Sequence, residues 1–248
     1  MCARQNVRDS TTEISLARRI AAVDWAAAAQ TLDNVGYAHL KALLSAGECD
    51  EVAGWYDDAR LYRSTVVMAH HGFGQGEYKY FAYPLPHLVA VLRRLAYPPL
   101  AAVANRWAAL LGEATRYPDT LERFSAECHA DGQLRPTPLI LRYGAGGYNR
   151  LHQDLYGDIA FPLQFAILLS EPGRDLEGGE FILAEQKPRM QSRAEVVPLR
   201  QGDAVLFAVN QRPIKGARGH YRARMRHGVS TVRGGQRTTL GIIFHDAR

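Results

Sequence analysis

The second half of the chain consists of short apolar runs separated by turns, and this pattern limits the possible folds more than any other feature. Glycine, proline and charged residues separate the runs, which is typical of the strands of a β-sandwich or small barrel. The runs lie at 139–143, 161–169, 180–183, 195–199, 204–208, 225–231 and 238–244. We therefore predict a β core over residues 136–248.

The first half of the chain predicts mainly helices. Apolar residues at helical spacing, a capping box at Ser45 and Glu48, and prolines in first turns all favour helix formation. The predicted helices span 14–32, 45–56, 86–95, 99–111 and 119–130, with a short strand at 37–40. Residues 1–135 are thus expected to pack as a mainly helical part on the β core. The predicted fold class is α+β, in one structural unit.

The stretch 70–84 (HHGFGQGEYKYFAYP) has neither helical nor strand periodicity and is predicted to be a long loop. Its tyrosines and histidines are suited to stacking on a base or gripping a peptide, as a substrate lid. Packing over the open end of the barrel is the alternative. The candidate substrate contacts are Arg63, His71, Tyr78 and Tyr80.

Cysteine content and hydropathy indicate the compartment. The three cysteines (Cys2, Cys49 and Cys128) are odd in number and widely spaced, which argues against a disulfide framework and for a reducing environment. The first residues are polar, and no apolar run approaches the roughly 20 residues that span a bilayer. We expect a cytoplasmic protein without a membrane segment.

Positive charge is concentrated at the end of the chain. The formal net charge is +5, yet residues 200–248, the basic C-terminal quarter, contain ten Lys and Arg residues against two acidic ones. Such a segment is able to attract a nucleic-acid backbone or an acidic co-substrate. A solvated arginine-rich face is the alternative.

His152 and Asp154 form a pair of potential metal ligands. Residues i and i+2 of a strand point to the same side, so both side chains can face one ion. Two imidazoles and one carboxylate on one face of Fe(II) leave positions open for a co-substrate and oxygen. His129 and Asp131 have the same spacing, but they end a predicted helix, where residues i and i+2 diverge. The sequence context therefore favours His152 and Asp154.

The second imidazole should come from a late strand, for which His220, His227 and His245 are available. His220 lies in the stretch GARGHYRAR, which is predicted to be a loop, and His245 is almost at the terminus. His227 begins HGVSTV, a predicted strand. We therefore predict an Fe(II) site made of His152, Asp154 and His227.

Arg237 is a candidate for binding the co-substrate. A dicarboxylate that chelates iron through its keto-acid end needs a cation for its distal carboxylate, and arginine offers a planar fork. If the strands of His227 and Arg237 form a hairpin, a three-residue turn over 234–236 places both side chains on the inward face. Thr239 would share that face. A surface arginine in a basic region is the alternative.

With these residues, the chain resembles the Fe(II)/2-oxoglutarate-dependent dioxygenases. The stretch from Arg142 to Asp154 is similar to the corresponding segment of AlkB-type nucleic-acid demethylases, where a tyrosine hydrogen-bonds 2-oxoglutarate and the histidine and aspartate bind iron. The resemblance gives these roles to Tyr143, His152 and Asp154. It also implies a double-stranded β-helix (jelly-roll) core with flanking N-terminal helices. Over nearly its whole length the chain is similar to a family of uncharacterised bacterial 2-oxoglutarate oxygenases.

Two details of the resemblance bear on the substrate. The spacing from His227 to Arg237 resembles that of prolyl hydroxylases, whereas AlkB-type enzymes carry a second arginine at the position of Ile243. The implied activity is hydroxylation of a C–H bond with Fe(II), O2 and 2-oxoglutarate, coupled to decarboxylation of 2-oxoglutarate to succinate. Alkylated nucleic acid is one possible substrate; a prolyl side chain or a small molecule is the other. A non-catalytic binding module is disfavoured because the ligand set is complete.

Overall fold

Residues 2–248 are described by a computed structural model, with side chains described from residue 12 onwards. Within this range the five α-helices are α1 (Cys2–Ala21), α2 (Trp25–Val35), α3 (Ala46–Gly54), α4 (His87–Leu110) and α5 (Leu121–Ala130). The first seven strands are β1 (Tyr37–Leu40), β2 (Tyr62–Val67), β3 (Gly74–Gln75), β4 (Glu77–Phe81), β5 (Leu139–Tyr143), β6 (Tyr148–His152) and β7 (Leu163–Leu168). The other eight are β8 (Leu176–Gly178), β9 (Phe181–Gln186), β10 (Arg193–Val197), β11 (Ala204–Ala208), β12 (Gln211–Gly216), β13 (Gly219–Val229), β14 (Val232–Gly235) and β15 (Arg237–Ile242).

Two antiparallel sheets form a sandwich. The major sheet has the order β1-β11-β7-β15-β5-β4-β2, and the minor sheet has the order β10-β9-β13-β6-β3, with β12 paired to β13. Apolar side chains from both sheets meet between them, for example Phe181 on β9 and Phe207 on β11, whose ring centroids are 5.1 Å apart. The expected α+β class with a jelly-roll core is confirmed. Strands β1, β2 and β4, from the part of the chain predicted to be mainly helical, complete the major sheet.

The strands in the middle of the major sheet are buried on both faces because helices cover one face and the minor sheet covers the other. Side chains alternate along a strand, so Leu163, Phe165 and Ile167 of β7 belong to the core shared with the helices. Gln164 and Ala166, between them, line a cavity between the sheets. A polar glutamine therefore lies inside the sandwich.

The predicted helix over 14–32 is wrong as one element, because α1 ends at Ala21 and α2 begins at Trp25. The carboxylate of Asp24 accepts a hydrogen bond from the backbone N–H of Ala27 and thereby starts a new helix. The capping box of α3 is present as predicted.

The two helices predicted over 86–95 and 99–111 are a single helix, α4, with two prolines inside it. A proline removes an amide donor and crowds the preceding turn, which normally breaks a helix. Here tertiary packing outweighs that cost: Tyr97, beside the first proline, is fully buried, and its ring packs 5.9 Å from that of Phe244.

The long loop predicted over 70–84 is also wrong. It contains strands β3 and β4, and β4 pairs with β2 on one side and β5 on the other. The sequence of β4, EYKYF, is partly exposed and mixes charged with aromatic residues, so it lacks the apolar signal of a buried strand. One of its two partner strands, β5, is distant in sequence, so local sequence does not reveal that β4 lies inside the sheet.

The strands that contain His227 and Arg237 do not form the predicted hairpin. The chain leaves β13 in the minor sheet, passes through β14, which pairs with β8, and enters the major sheet as β15. The register argument from a three-residue turn is therefore wrong. His220 lies within β13 rather than in a loop. Both His227 and Arg237 nevertheless face the cavity between the sheets.

Cys49 and Cys128 are buried free thiols, whereas the side chain of Cys2 lies outside the described residues. None of the helices within residues 2–248 is both long and apolar enough to cross a membrane.

Candidate metal and co-substrate centre

The three predicted metal ligands converge at one end of the minor sheet. His152 ends β6, and His227 lies directly opposite it on β13, with ring centroids 4.2 Å apart. Asp154 follows two residues after His152. One donor atom from each of the three side chains lies within 4.8 Å of the other two. Asp154 is 9% exposed and His227 is 7% exposed, whereas the side chain of His152 is 34% exposed, so the centre is reached from solvent on the His152 side.

The arrangement of nitrogen and oxygen atoms fits a divalent cation. His152 Nε2 lies 3.5 Å from Asp154 Oδ1, and His227 Nε2 lies 3.2 Å from Asp154 Oδ2. The Nδ1 atom of His152 is 2.7 Å from the Arg150 carbonyl, to which its proton is donated. The Nε2 lone pair of His152 is then free for a metal. Two imidazoles and one carboxylate form the donor set that suits Fe(II).

The electrostatics of the centre favour the ligating forms of His227 and Asp154. At His152, burial is outweighed by the hydrogen bond to Asp154, which raises the pKa of this imidazole, so a bound cation would displace a proton there. Burial, reinforced by the charge of His152, lowers the pKa of His227 and favours its neutral imidazole. Burial opposes ionisation of Asp154, but the two histidines outweigh it and hold the pKa of this carboxyl well below its usual range. A neutral imidazole and an ionised carboxylate are the ligating forms.

Gln153, which lies between the ligands His152 and Asp154, is also held in place. The side-chain amide of Gln153 donates to the carbonyl oxygens of Asn210 and Met225, at 3.1 and 2.8 Å. Met225 lies on β13, two residues before His227. The hydrogen bonds of Gln153 therefore connect the His152–Asp154 segment to β13, the strand of His227, without any contribution from a metal.

Arg237 is a buried cation that lines the same cavity, whose volume is about 380 Å³. It is 2% exposed, and no carboxylate lies within ion-pair distance of it among residues 12–248. Burial lowers its pKa to about 10, so it remains charged at neutral pH. Its Nε donates to the Gly179 carbonyl at 2.7 Å, and its Nη1 donates to the Thr239 hydroxyl. An unpaired buried cation fits an anionic ligand such as a carboxylate.

The close approach of Arg237 depends on Gly179. This glycine has φ of +64°, in the left-handed region, and a Cβ placed on it would lie 2.9 Å from Arg237 Cδ. The glycine pair before β9 is therefore part of the arginine site, although the sequence alone shows only a turn.

Tyr143 lies beside Arg237, to which it is paired in register across β5 and β15. It is fully buried, and burial raises its pKa, so the hydroxyl stays protonated. The hydroxyl accepts a hydrogen bond from Asn149 at 3.3 Å, which leaves its own proton available to a ligand in the cavity. Tyr143, Arg237 and Thr239 all belong to the major sheet, whereas the two histidines of the predicted metal site belong to the minor sheet.

The four candidate substrate residues occupy different positions. Tyr78 lines the cavity, and His71 is exposed and stacks on Phe73, which lies at the cavity mouth, with ring centroids 5.2 Å apart. Tyr80 is 7% exposed and packs behind Tyr78. Arg63 lies over the Tyr80 ring at 4.5 Å and donates to a backbone carbonyl. Their role toward a substrate remains a prediction.

Two residues that contact Asp154 were not predicted from the sequence. The Tyr156 hydroxyl donates to Asp154 Oδ1, and the Gln164 amide donates to Asp154 Oδ2, both at 2.7 Å. A glutamine within the apolar run LQFAIL was a signal that could have been used, because buried polar side chains need partners. Tyr156 carried no such signal.

The remaining candidate histidines lie outside the metal centre. His129 contacts the buried carboxylate of Asp246 at 2.8 Å, and His220 is exposed. His245 is fully buried; its Nδ1 accepts a hydrogen bond from the Phe161 N–H at 3.2 Å, and its Nε2 has no partner among the described residues.

His245 makes stability depend on pH. Burial lowers its pKa from 6.5 to about 4, so between these values the unfolded chain takes up a proton that the native state excludes. The free energy of unfolding therefore falls as the pH falls through this window. We expect the stability difference between wild type and His245→Asn, measured by urea unfolding, to shift by about 2 kcal/mol between pH 7 and pH 5 in favour of the variant. Parallel stability curves for the two proteins would contradict this expectation.

A jelly roll whose cavity holds two imidazoles, a carboxylate and a buried arginine has the architecture of a non-haem iron oxygenase. Residues 76–247 match a protein family described as an oxygenase, catalysing oxidative methylation of damaged DNA, and the chain belongs to this family. An uncharacterised protein of Mycobacterium tuberculosis (strain CDC 1551 / Oshkosh) is 47% identical over 167 residues, which cover 67% of this chain and 72% of the relative.

Solved structures share the fold. A prolyl-4-hydroxylase from Pseudomonas putida superposes with a TM-score of 0.53 at 16% identity, over 90% of this chain and 99% of the other. An oxidoreductase of the 2OG-Fe(II) oxygenase family from Burkholderia pseudomallei gives a TM-score of 0.52 at 19% identity, over 91% and 94% of the two chains. The expected oxygenase class is confirmed by the family match, and the fold is that of the Fe(II)/2-oxoglutarate oxygenases. The cluster of His152, Asp154 and His227 fits the expected Fe(II), 2-oxoglutarate and O2.

Proposed function

We propose that the protein oxidatively removes alkyl groups from damaged nucleic acid, with iron bound by His152, Asp154 and His227 and 2-oxoglutarate bound by Arg237. The observation that carries the chemistry is the unpaired buried guanidinium of Arg237 in the same cavity as the three ligands. The description of the family, which concerns damaged DNA, supports the substrate class. A cytoplasmic location remains a prediction.

On this proposal, two histidines of the minor sheet and Asp154 bind the metal, and residues of the major sheet bind 2-oxoglutarate. When bound, Fe(II) supplies the activation of oxygen, coupled to conversion of 2-oxoglutarate into succinate and carbon dioxide. Arg237 pairs with the distal carboxylate of the co-substrate, and Thr239 holds the guanidinium in place. Tyr143 has a free hydroxyl proton to donate to the co-substrate. Burial of these groups excludes water and strengthens each charged hydrogen bond.

The free positive charge of the basic C-terminal quarter supports contact with a nucleic-acid backbone. Four of its ten cations already have carboxylate partners, namely Arg212, Arg222, Arg233 and Arg248. The exposed cations without an ion pair in the described part of the chain are Arg200, Lys215, Arg218, Arg224 and Arg226, and all except Arg200 lie on or between β12 and β13.

The geometry of β13 places its arginines in a row. Inward and outward residues alternate along the strand, so Arg224 and Arg226 are exposed while His227 faces the cavity. Lys215 on β12 is paired with His220, which lies on the same face as these arginines. Neighbours on one face of a strand are about 6.8 Å apart. This row forms a cationic face on the strand that also holds the third metal ligand.

We expect the double variant Arg224→Gln/Arg226→Gln to bind single-stranded oligonucleotides more weakly and with less salt dependence. Each lost phosphate contact lowers the slope of log K against log salt by about 0.7. Fluorescence anisotropy over a range of salt concentrations measures this slope. Arg116→Gln/Arg200→Gln, which removes the same charge from exposed arginines elsewhere, serves as control. Equal slopes for the two double variants would exclude the β13 face from nucleic-acid binding.

The substrate class is tested by a succinate-release screen over methylated oligonucleotides, proline-containing peptides and free amino acids. The proposal expects succinate and formaldehyde in equal amounts with a methylated oligonucleotide. The spacing from His227 to Arg237 favours prolyl or small-molecule hydroxylation as the second candidate, and the position of Ile243, which is buried, supplies no second arginine. Release with peptides or amino acids alone would replace the first proposal by the second.

A further inference from the structure

The carboxylate of Asp154 is held by two uncharged donors, one on each oxygen. The hydroxyl of Tyr156 donates to Oδ1 and the amide of Gln164 donates to Oδ2, both at 2.7 Å. On the other side, each oxygen faces the Nε2 atom of one histidine. Within residues 12–248, no lysine or arginine forms an ion pair with this carboxylate.

Both donors are fixed by their surroundings. Gln164 lies on β7 and is 4% exposed. Its amide orientation is set by chemistry, because a carboxylate accepts hydrogen bonds only from the NH2 group and would repel the amide oxygen. The Tyr156 ring lies in the loop that follows Asp154 and packs edge-on against Tyr80, with centroids 5.9 Å apart and planes at 86°.

We propose that Tyr156 and Gln164 are positioning residues that set the metal affinity of the centre by fixing the Asp154 carboxylate; this rests on the metal-ligand role proposed for Asp154. Two hydrogen bonds on opposite oxygens prevent rotation of the carboxylate about the Cβ–Cγ bond. Because both donors are neutral, the full negative charge of the carboxylate remains for the cation. A lysine or arginine in either place would compete with the metal for that charge.

The positions of the two donors explain why the site needs them. Asp154 lies beyond the end of β6, so no ladder hydrogen bonds of its own strand hold its backbone. Gln164 reaches it from the major sheet, and Tyr156 reaches it from the loop. The ligand from the least regular segment is therefore fixed by one contact from the major sheet and one from its own loop.

The test is anaerobic calorimetry of Co(II) binding to the full-length apoprotein, together with the visible spectrum of the Co(II) complex. Contacts of this kind contribute about 10- to 100-fold to metal affinity, so Tyr156→Phe and Gln164→Leu should each weaken Co(II) binding by that factor and alter the Co(II) bands. Tyr117→Phe is the matched control. It also removes one tyrosine hydroxyl that donates a hydrogen bond, in this case to the Ala160 carbonyl, and it touches no hydrogen bond of Asp154, so its Co(II) affinity should equal that of the wild type.

Two results would contradict the proposal, one by removing the positioning role and the other by removing the metal assignment. If Tyr156→Phe binds Co(II) within about twofold of the wild type while Asp154→Ala loses binding, the donors have no positioning role although the metal centre stands. If Asp154→Ala also retains wild-type affinity, the metal assignment itself is wrong. Neither measurement uses a nucleic acid, so failure of the proposed substrate class leaves this test unaffected. Should Gln164→Leu fail to fold, Tyr156→Phe decides the outcome, because it removes one hydroxyl and keeps the ring.

Discussion

Asp154→Ala is expected to reduce succinate formation to background and to weaken Co(II) binding by more than about 100-fold, beyond the range seen for residues that only support a metal ligand. The reason is that Asp154 contributes the one negative charge among the three proposed ligands. Without it, two neutral imidazoles must hold a divalent cation in a buried site. Succinate assay and calorimetry on the same preparation measure the two effects.

The chain contains a matched control for this variant. Asp131 follows His129 with the same spacing, but its carboxylate pairs with exposed Arg248, and His129 contacts Asp246 instead. Asp131→Ala should therefore leave both succinate formation and Co(II) affinity at wild-type values. An Asp154→Ala protein that still formed succinate at the wild-type rate would remove Asp154 from the metal centre.

Arg237→Met is expected to weaken 2-oxoglutarate binding by about 30-fold or more, which corresponds to at least 2 kcal/mol for loss of one partner of a buried charge pair. The same substitution should not lower the Tm of the ligand-free protein. The wild type carries a buried cation without a counter-charge, and an apolar side chain of similar volume removes the desolvation cost of that charge.

The two effects can be separated by thermal unfolding with and without 2-oxoglutarate. A ligand that binds only the native state raises the Tm of the wild type, and this rise should be nearly absent in Arg237→Met. Arg233→Gln is the control, because Arg233 is exposed and pairs with Glu180 at 3.5 Å. An equal rise in the Tm of Arg237→Met and the wild type would place the distal carboxylate of the co-substrate elsewhere.

The sequence predicted best those elements whose signal is local. Strands β5 and β11 have the predicted bounds, because their apolar residues are bounded by clear turns. The ligands His152, Asp154 and His227 come together as predicted. The expectation that His152 and Asp154 share a strand is wrong for Asp154, because β6 ends at His152. Strand β4 was missed because one of its two partner strands, β5, is distant in sequence.

Other predictions were wrong or missing where the position of a side chain depends on the path of the chain between the two sheets. His227 and Arg237 were expected on neighbouring strands of a hairpin, whereas the chain changes sheets between them. Arg237 still faces the cavity, because β15 pairs with β5 and β7 in the major sheet, and local sequence does not predict this pairing. The roles of Gln164 and Tyr156 depend on where Asp154 lies in three dimensions, and sequence spacing does not give that position.

The division of the site between the two sheets has a mechanical consequence. On the proposed assignment, 2-oxoglutarate contacts the metal on the minor sheet and the guanidinium on the major sheet, so it acts as a cross-link between the layers. Its binding energy would then oppose separation of the sandwich as a whole and not only the motion of one loop. Slower amide exchange should consequently extend into β7 and β9, beyond the residues that touch the ligand.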